Sequence, residues 1–318
     1  DRVLDERYWS KSRMTIAIRY LLLATCLVVA GTYVYGRITA SATDIPVEQI
    51  QAPSSAVEPA SFKVAAYNIA HSRGAEKGAS NWDGDNAEKA ERAKAIGRFL
   101  AEAGIDIVIL NEVDFDASWS GRQDQASLIA EAGDFSFVAR QVNYGLALPG
   151  FSLKFGNALL SRFPIIHAER VPLPAYSQPE ALLFGNHDAI RATIAINSTS
   201  ELDLWGLHLE VRDQATRLSA VKHIVDQLDE SRPTVLAGDL NSELSVGASV
   251  ATALDTLLNS NAFNSPPQTC DLPGTFPTMA PKRTLDWIVH TSLLERIECG
   301  VEETELSDHL PVSSRFRI

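Results

Sequence analysis

Six apolar runs in this chain of 318 residues carry, at or beside one end, a polar residue able to do chemistry. The run 62–67 ends at Asn68, and 105–110 ends at Asn111 and Glu112. The run 202–207 ends at His208, and 234–237 ends at Gly238, Asp239, Leu240 and Asn241. The run near Leu285 carries Asp286, and the last one is preceded by Ser307, Asp308 and His309. Singly, each residue reads more simply as a turn cap, since Asp and Asn commonly close turns. Together they form a coherent set. Glu112, Asp239, Asp308, Asn68 and Asn241 are hard oxygen donors that suit Mg²⁺ or Mn²⁺, ions that keep several waters and bind phosphate oxygens. The chain has neither a helical His-Glu-x-x-His nor a cysteine cluster, which argues against zinc. His208 and His309 titrate near neutral pH and can act as acid or base. Asp286 is suited to orient His309, as carboxylates orient histidines in other hydrolytic sites. A metal, two histidines and carboxylates, without a Ser or Cys nucleophile elbow, favour attack by water on phosphorus.

These residues need a sheet whose strand ends gather on one rim, which is where α/β folds build sites. Apolar strand candidates are 62–69, 105–113, 135–141, 156–161, 189–197, 202–208, 233–238, 285–290 and 311–317. Several are nearly continuous in apolar character, as strands covered on both faces are. Helices are expected over 86–103, 121–132, 213–229 and 248–258. Ala90, Ala93, Ile96, Phe99 and Leu100 form a stripe at helical spacing with Gly104 as a stop. Leu218, Val221, Ile224, Val225 and Leu228 form another. Trp82-Asp83-Gly84-Asp85 reads as the N-terminal cap of 86–103 rather than a metal loop. No internal repeat and no second domain is evident, so 62–318 reads as one α/β domain.

Composition sets the outer limits. With 45% hydrophobic and 21% charged residues, the chain is neither disordered, collagen-like nor a multispanning membrane protein. Of its 28 basic and 40 acidic residues, six and three lie in 1–42, which leaves −15 from residue 43 onward. A part so acidic is a poor general binder of polyanions. Three cysteines make neither a zinc cage nor a dense disulfide framework. Cys270 and Cys299 are compatible with one disulfide or with two separate thiols.

Residues 1–37 read as a signal or membrane anchor. Residues 20–36 carry no charge, Lys11, Arg13 and Arg19 precede them, and Arg37 follows. Met14 is a plausible initiator. The basic excess on the N-terminal side predicts export of the rest. An uncleaved inner-membrane anchor facing the periplasm, and a signal cleaved after Ala40-Ser41-Ala42 to give a periplasmic or secreted protein, both remain open. A buried core helix is the bland alternative. Cys26 after Leu23-Ala24-Thr25 makes a poor lipoprotein box. Residues 38–61, rich in Ala, Ser and Pro, read as a flexible linker.

At this point the sequence resembles the endonuclease/exonuclease/phosphatase superfamily, specifically a bacterial branch of metal-dependent hydrolases. The matching motifs stand in order: Ala66-Tyr67-Asn68-Ile69, Leu110-Asn111-Glu112-Val113, Gly156-Asn157-Ala158-Leu159-Leu160-Ser161-Arg162, Gly206-Leu207-His208-Leu209, Ala237-Gly238-Asp239-Leu240-Asn241, Leu285-Asp286-Trp287-Ile288 and Leu306-Ser307-Asp308-His309-Leu310-Pro311. The resemblance implies a four-layer α/β sandwich, two packed mixed β-sheets flanked by helices, and metal-dependent cleavage of a phosphate ester. It implies Glu112 as principal metal ligand, with Asn68 and Asp308 beside it. Asp239 positions or activates the attacking water or holds a second metal, and Asn241 steadies the phosphoryl oxygens. His309, paired with Asp286, contacts the phosphate and moves a proton, and His208 donates to the phosphate or the leaving oxygen. The proton-accepting role stays undivided between Asp239 and His309. Asn157, Tyr144 and His71 are candidate substrate contacts; the branch carries Asn-Ile-x-His at His71, usually followed by Gly where this chain has Ser72. His167, His187, His223 and His290 lie outside the motifs and read as structural.

The motifs leave the ester open. Double-strand nucleases of this superfamily add basic contacts along the duplex, and 62–318 has no dense Lys/Arg cluster. A tether beside a membrane favours a lipid headgroup, a glycolipid or another small phosphodiester. The same branch resembles the hydrolase part of proteins that remodel glycosylphosphatidylinositol anchors. An extracytoplasmic nuclease is the alternative, and a non-catalytic binding protein on the same fold is a third. No protein partner is inferred.

Overall fold

The computed structural model describes residues 2–317 other than 41, 54–58, 77, 180, 182–184, 186, 246–250 and 264–272. In chain order its elements are α1 (Arg2–Ala40), β1 (Val47–Gln49), β2 (Phe62–Asn68), α2 (Asn86–Glu102), β3 (Ile107–Asp114), α3 (Gln125–Ala132), β4 (Phe137–Leu148) and β5 (Phe151–Ser161). There follow β6 (Ile165–Val171), β7 (Ala189–Ala195), β8 (Glu201–His208), α4 (Gln214–Val225), β9 (Thr234–Asp239), α5 (Ala253–Leu258), β10 (Asp286–His290), β11 (Glu295–Val301) and β12 (Val312–Arg317). One sheet has seven strands in the order β1-β4-β5-β3-β2-β12-β11, and the other has five, β10-β9-β8-β7-β6. β2 and β3 run parallel, as do β8 and β9, and the remaining pairs are antiparallel. Both sheets are therefore mixed.

Strand periodicity separates the layers. Ile107 and Ile109 of β3 face the second sheet, packed with Leu204, Val235 and Ala237. Val108 and Leu110 face the other way, onto Ala93, Ile96 and Leu100 of α2 and Ile129 of α3. On the far face of the second sheet, Trp205 and Leu236 pack with Val221 and Ile224 of α4 and Leu254 of α5. Helices outside, two sheets inside: this is the expected four-layer sandwich. Burial on both faces explains why the inner strands read as continuous apolar runs.

The helix starts follow from side-chain caps. Asp85 Oδ1 accepts from the backbone N–H of Ala87 at 2.6 Å, as the Trp82–Asp85 reading requires. Asp124 and Asp213 do the same for α3 and α4, accepting from Ser127 and Thr216 at 3.2 and 2.7 Å. Each such cap contributes about 1 kcal/mol. They correct two boundaries, because the expected helices 121–132 and 213–229 begin only at Gln125 and Gln214. Of the helix expected over 248–258, Ala253–Leu258 is helical, and 248–250 lie outside the described residues.

Three strands were not anticipated. β1 and β11 are exposed edge strands and β6 is an edge strand with polar residues outward, so none has the apolar signature of an inner strand. β1 also corrects the linker expectation for 38–61. Val47–Gln49 pairs with Phe137–Ala139, Asp44 bridges to Glu169, and Ile45 is buried in the inter-sheet core. Ile45, Val47 and Ile50 alone, spread through a short polar stretch, were too weak a periodicity to register. Residues 54–58 and Ser41 lie outside the described residues. Cys299 is disulfide-bonded, and Cys270 lies outside the described residues.

α1 is no core helix. Its apolar segment within Arg13–Ile38 has mean hydropathy 1.9 and is unburied. Its last turn nonetheless docks on β4. Gly36 is buried so tightly that a Cβ there would lie 1.9 Å from the Gly145 carbonyl oxygen. The Arg37 guanidinium donates to the Asn143 carbonyl at 3.2 Å.

Between β2 and α2, Ala70, His71 and Ser72 all take left-handed backbone angles, with φ of 46°, 55° and 56°. For non-glycine residues this costs roughly 1–2 kcal/mol each. The turn is held from outside: Gln125 Nε2 donates to the His71 carbonyl at 2.9 Å, and Arg92 donates to the Ser72 carbonyl at 2.6 Å. The buried Ser72 hydroxyl has no hydrogen-bond partner. Ser72→Gly should therefore stabilise the protein by about 1 kcal/mol. Thermal unfolding of the full chain checks this, and an unchanged or lowered midpoint would show that the turn is not strained.

Candidate active site

The polar residues of six of the seven motifs meet on one rim. Asn68, Glu112, His208 and Asp239 stand at or near the C-terminal ends of β2, β3, β8 and β9. Asp286 opens β10 directly opposite Asp239 in register, and Asp308 and His309 immediately precede β12. The site lies in the wedge where the two sheets meet, since Asn68 of the first sheet reaches Asp239 of the second at 3.2 Å.

β3 solves a geometric problem there. Neighbouring residues of a regular strand face opposite sides, so Asn111 and Glu112 could not both reach the wedge. A bulge interrupts the pairing with β5 between Leu110 and Val113, and Glu112 takes φ 54°. The extra residue re-aims the side chain, as bulges beside active sites do. Asn111 then accepts from the Asp239 backbone N–H at 3.0 Å and donates to Asn157 Oδ1 at 2.9 Å. Asn157 passes the chain on to Gln141 at 3.0 Å. Asn157 is fully buried, with both halves of its amide engaged. Its expected substrate contact is replaced by a positioning role, because this amide chain consumes its polar atoms.

The carboxylates are crowded. Glu112 Oε1 accepts from Asn68 Nδ2 at 3.2 Å, while Oε2 lies 3.6 Å from both His71 Nε2 and Arg73 Nη2. Burial would raise its pKa, but the positive charges of His71 and His208 and the Asn68 hydrogen bond bring it down to about 2. Asp308 is pushed up by burial and then by the charge of Glu112. Asp286 is pushed up by burial, with Asp239 adding to it. Like charges packed in one wedge with hard oxygen donors fit a divalent cation, which would relieve their repulsion. Glu112, Asp308 and Asp239 supply those donors. Asn68, expected as a ligand, presents its amide nitrogen to Glu112 and Asp239, because its Oδ1 accepts the Ala70 N–H at 3.0 Å. In this arrangement its amide bridges the two carboxylates. Asp239, Asp286 and His309 also bring their ligand atoms within 4.8 Å of one another.

Two histidine–carboxylate pairs flank Glu112. His309 Nδ1 pairs with Asp286 Oδ2 at 2.8 Å, which turns Nε2 toward Asp239 Oδ2 at 3.9 Å. Phe276 packs on the ring at 4.7 Å. Burial would lower the His309 pKa, but the charge and hydrogen bond of Asp286, with Asp239 behind, raise it to about 10. On the other side His71 Nδ1 pairs with Asp114 Oδ1 at 2.7 Å, and Trp119 Nε1 donates to Asp114 Oδ2 at 2.8 Å. His71, expected as a substrate contact, is thus buried against Glu112. His208 Nε2 stands 3.8 Å from Asp239 Oδ2. Asn241, at φ 46°, is fixed by its backbone N–H to Asp239 Oδ1 at 2.9 Å and by its amide to the Leu209 carbonyl. Tyr144 reaches the rim through Phe155, at 5.6 Å between rings, with Phe155 itself 5.5 Å from His71.

Some neighbours had no sequence signal. His187, read as structural, stacks edge-on against His208 at 4.9 Å and faces Glu210 at 4.0 Å. Burial and the charge of His208 hold its pKa down, at about 4. Arg73 and Asp114 lie close to residues that were singled out, but nothing in their spacing marked them. His167 is surface-exposed, and His290 is buried against Phe316.

Two mixed sheets with outer helices and a carboxylate–histidine site on one rim define a DNase I-like phosphoesterase fold. Residues 65–309 match the model of the Endonuclease/Exonuclease/phosphatase family, and the chain belongs to that family. Among solved structures, it resembles an endonuclease/exonuclease/phosphatase from Beutenbergia cavernae, with 20% identity, TM-score 0.61 and coverage of 82% of this chain and 72% of the other. It also resembles a mannosyl-6-phosphatase from Bacteroides thetaiotaomicron, with 15% identity, TM-score 0.57 and coverage of 81% and 100%. A truncated TDP2 from Caenorhabditis elegans matches at 16% identity, TM-score 0.53 and coverage of 81% and 98%. No curated protein matches this chain.

The His309–Asp286 pair gives a pH prediction for the metal-free protein. A histidine whose pKa rises on folding contributes stability that is complete below its unfolded value and lost as pH climbs through the folded one. With EDTA present, the thermal midpoint should fall as pH rises from 6.5 to about 10. His309→Gln should reduce that slope, and an identical slope in the variant would disprove the assignment.

Proposed function

We propose that this protein is a membrane-anchored, Mg²⁺- or Mn²⁺-dependent phosphoesterase that hydrolyses a lipid headgroup or other small phosphate ester outside the cytoplasm. The observation that carries the chemistry is the placement of Asp239 between His208 and His309, each nitrogen 3.8–3.9 Å from its Oδ2, beside Glu112. Glu112, Asp308 and Asp239 would hold the cation, which supplies charge neutralisation at the phosphate when bound. Asp239 orients the attacking water, whose oxygen forms the new bond to phosphorus as the ester P–O bond breaks. His309 is held by Asp286 with Nε2 directed inward, so it contacts the phosphate as a donor. His208 faces the same space from the opposite side and supplies a hydrogen bond or proton to the departing oxygen. Asn241 is placed to steady a phosphoryl oxygen. This division assigns proton acceptance to Asp239, because His309 is kept in its charged form by three carboxylates.

Two observations support the membrane and the ester. α1 has one apolar segment long enough to span, with the basic residues preceding it. The Gly36–Gly145 contact gives the end of that segment a seat on the domain, which favours a retained anchor over a cleaved signal. The net charge of −15 from residue 43 onward disfavours a long polyanion such as duplex DNA.

The test compares full-length protein with Mg²⁺ on mixed phospholipid vesicles and on plasmid DNA at matched salt. Release of phosphate or headgroup, abolished by EDTA and reduced roughly 10²–10⁴-fold by His309→Ala, is the expected result. Metal-dependent plasmid nicking lost in that variant, without release from vesicles, would replace the lipid-side reading with a nuclease.

A further inference from the structure

The direction in which α1 leaves the domain fixes which face looks at the bilayer. Arg37 bonds to Asn143, Gly36 lies on Gly145, and Thr32 shares a cavity of about 540 Å³ with Leu146 and Ala147. Lower numbers on α1 thus meet higher numbers on β4, so the two run antiparallel. Followed back toward its N-terminus, α1 travels beside β4 toward the β4–β5 turn.

That turn lies beyond the active-site rim. Phe155 pairs with Asp114, the last residue of β3, and with Tyr144. The pairs from Gly145–Lys154 to Leu148–Phe151 therefore project past the sheet on the side of Glu112. From Gly145 to Leu148 the strand advances about 10 Å, equal to roughly seven residues of helix. The hairpin tip, Leu148-Pro149-Gly150-Phe151, thus stands level with the unburied apolar stretch of α1 near Val29, inside the span Arg13–Ile38.

Other rim loops also expose apolar residues, set among charged ones such as Asp83, Arg212, Glu243 and Arg283. Trp82, Tyr176, Val211, Leu244 and Met279 are large apolar residues left exposed at 58, 51, 58, 39 and 66%. All five lie in loops on the rim side of the sheets. Trp82 stacks on Phe151 at 6.3 Å and meets Trp119 edge-on at 5.8 Å, and Trp119 lies 5.6 Å from His71. Aromatic rings thus run from the hairpin tip to the histidine beside Glu112. The contiguous aromatic group of Trp82, Phe151 and Trp119 is of the kind that marks an interaction surface, and tryptophans favour the membrane–water boundary.

We propose that the β4–β5 hairpin tip and Trp82 insert into the bilayer that α1 spans, so that the active-site mouth opens directly onto the lipid surface. The occupant of the apolar rim is the lipid bilayer itself. The inference rests on the reading of α1 as a retained anchor and sharpens the proposed function, because substrate is then drawn from the membrane plane.

The test uses the full chain reconstituted into phosphatidylcholine vesicles, with and without bromine on the upper part of the acyl chains. Bromine quenches tryptophan fluorescence only at short range. Quenching should be greater in the wild type than in Trp82→Phe, a conservative exchange at an exposed ring, and the excess is the Trp82 signal. Leu148→Asp with Phe151→Asp should abolish that excess while leaving hydrolysis of a water-soluble phosphate ester unchanged. Equal quenching in wild type and Trp82→Phe would overturn the proposal and leave the apolar rim to a protein partner. Quenching needs no turnover, so it separates the two claims. A Trp82 signal without lipid hydrolysis retains the membrane surface and rejects the proposed substrate; lipid hydrolysis without a Trp82 signal does the reverse.

Discussion

Negative charge in the wedge between the sheets is the constraint on which the site depends. Glu112, Asp239, Asp286 and Asp308 converge there, and all but Glu112 are nearly inaccessible to water. Buried carboxylates in such numbers are unfavourable unless each is paired or hydrogen-bonded. Asn68 bridges two of them, His309 takes a third, and His71 with Arg73 faces Glu112. The compensation is partial, which is why the carboxyls of Asp286 and Asp308 remain pushed up by their surroundings. A divalent cation would complete it, and the same unbalanced charge gives the wedge affinity for one.

Much of the backbone around the wedge serves that arrangement. The bulge at Asn111–Glu112 lets two adjacent residues of one strand point to the same place. The left-handed turn at Ala70–Ser72 carries His71 over Glu112, and the left-handed Asn241 doubles back onto Asp239. Such conformations persist where the surroundings over-determine them. Here the surroundings are Gln125 and Arg92 for the turn and the amide chain Asn111–Asn157–Gln141 for the strands. Strain concentrated at these points is balanced by the apolar layers on both sides of β2, β3, β8 and β9.

The inner strands and the motif residues were legible in sequence because burial on both faces leaves a long apolar signature that stops abruptly at a polar residue. The layer order followed from the resemblance of those motifs to a known family. Edge strands β1, β6 and β11 were not legible, since half their residues face water and their pattern matches that of loops. Within the site, Glu112, Asp239, Asp286 and His309 could be named from strand ends. Asn157 stood in an equally clear motif, yet it is buried inside the amide chain, because a motif records that a residue matters and not which way it points. His187 and Arg73 come from loops with no periodicity, and only the folded chain brings them beside His208 and Glu112.

The most direct test of the charge-compensation account is the calorimetric affinity of the full-length protein for Mg²⁺, compared with that of Glu112→Gln. Removing one carboxylate charge from a cation site of this kind should weaken binding about tenfold or more. Binding to the variant as tight as to the wild type would contradict the account, because it would place the cation away from Glu112.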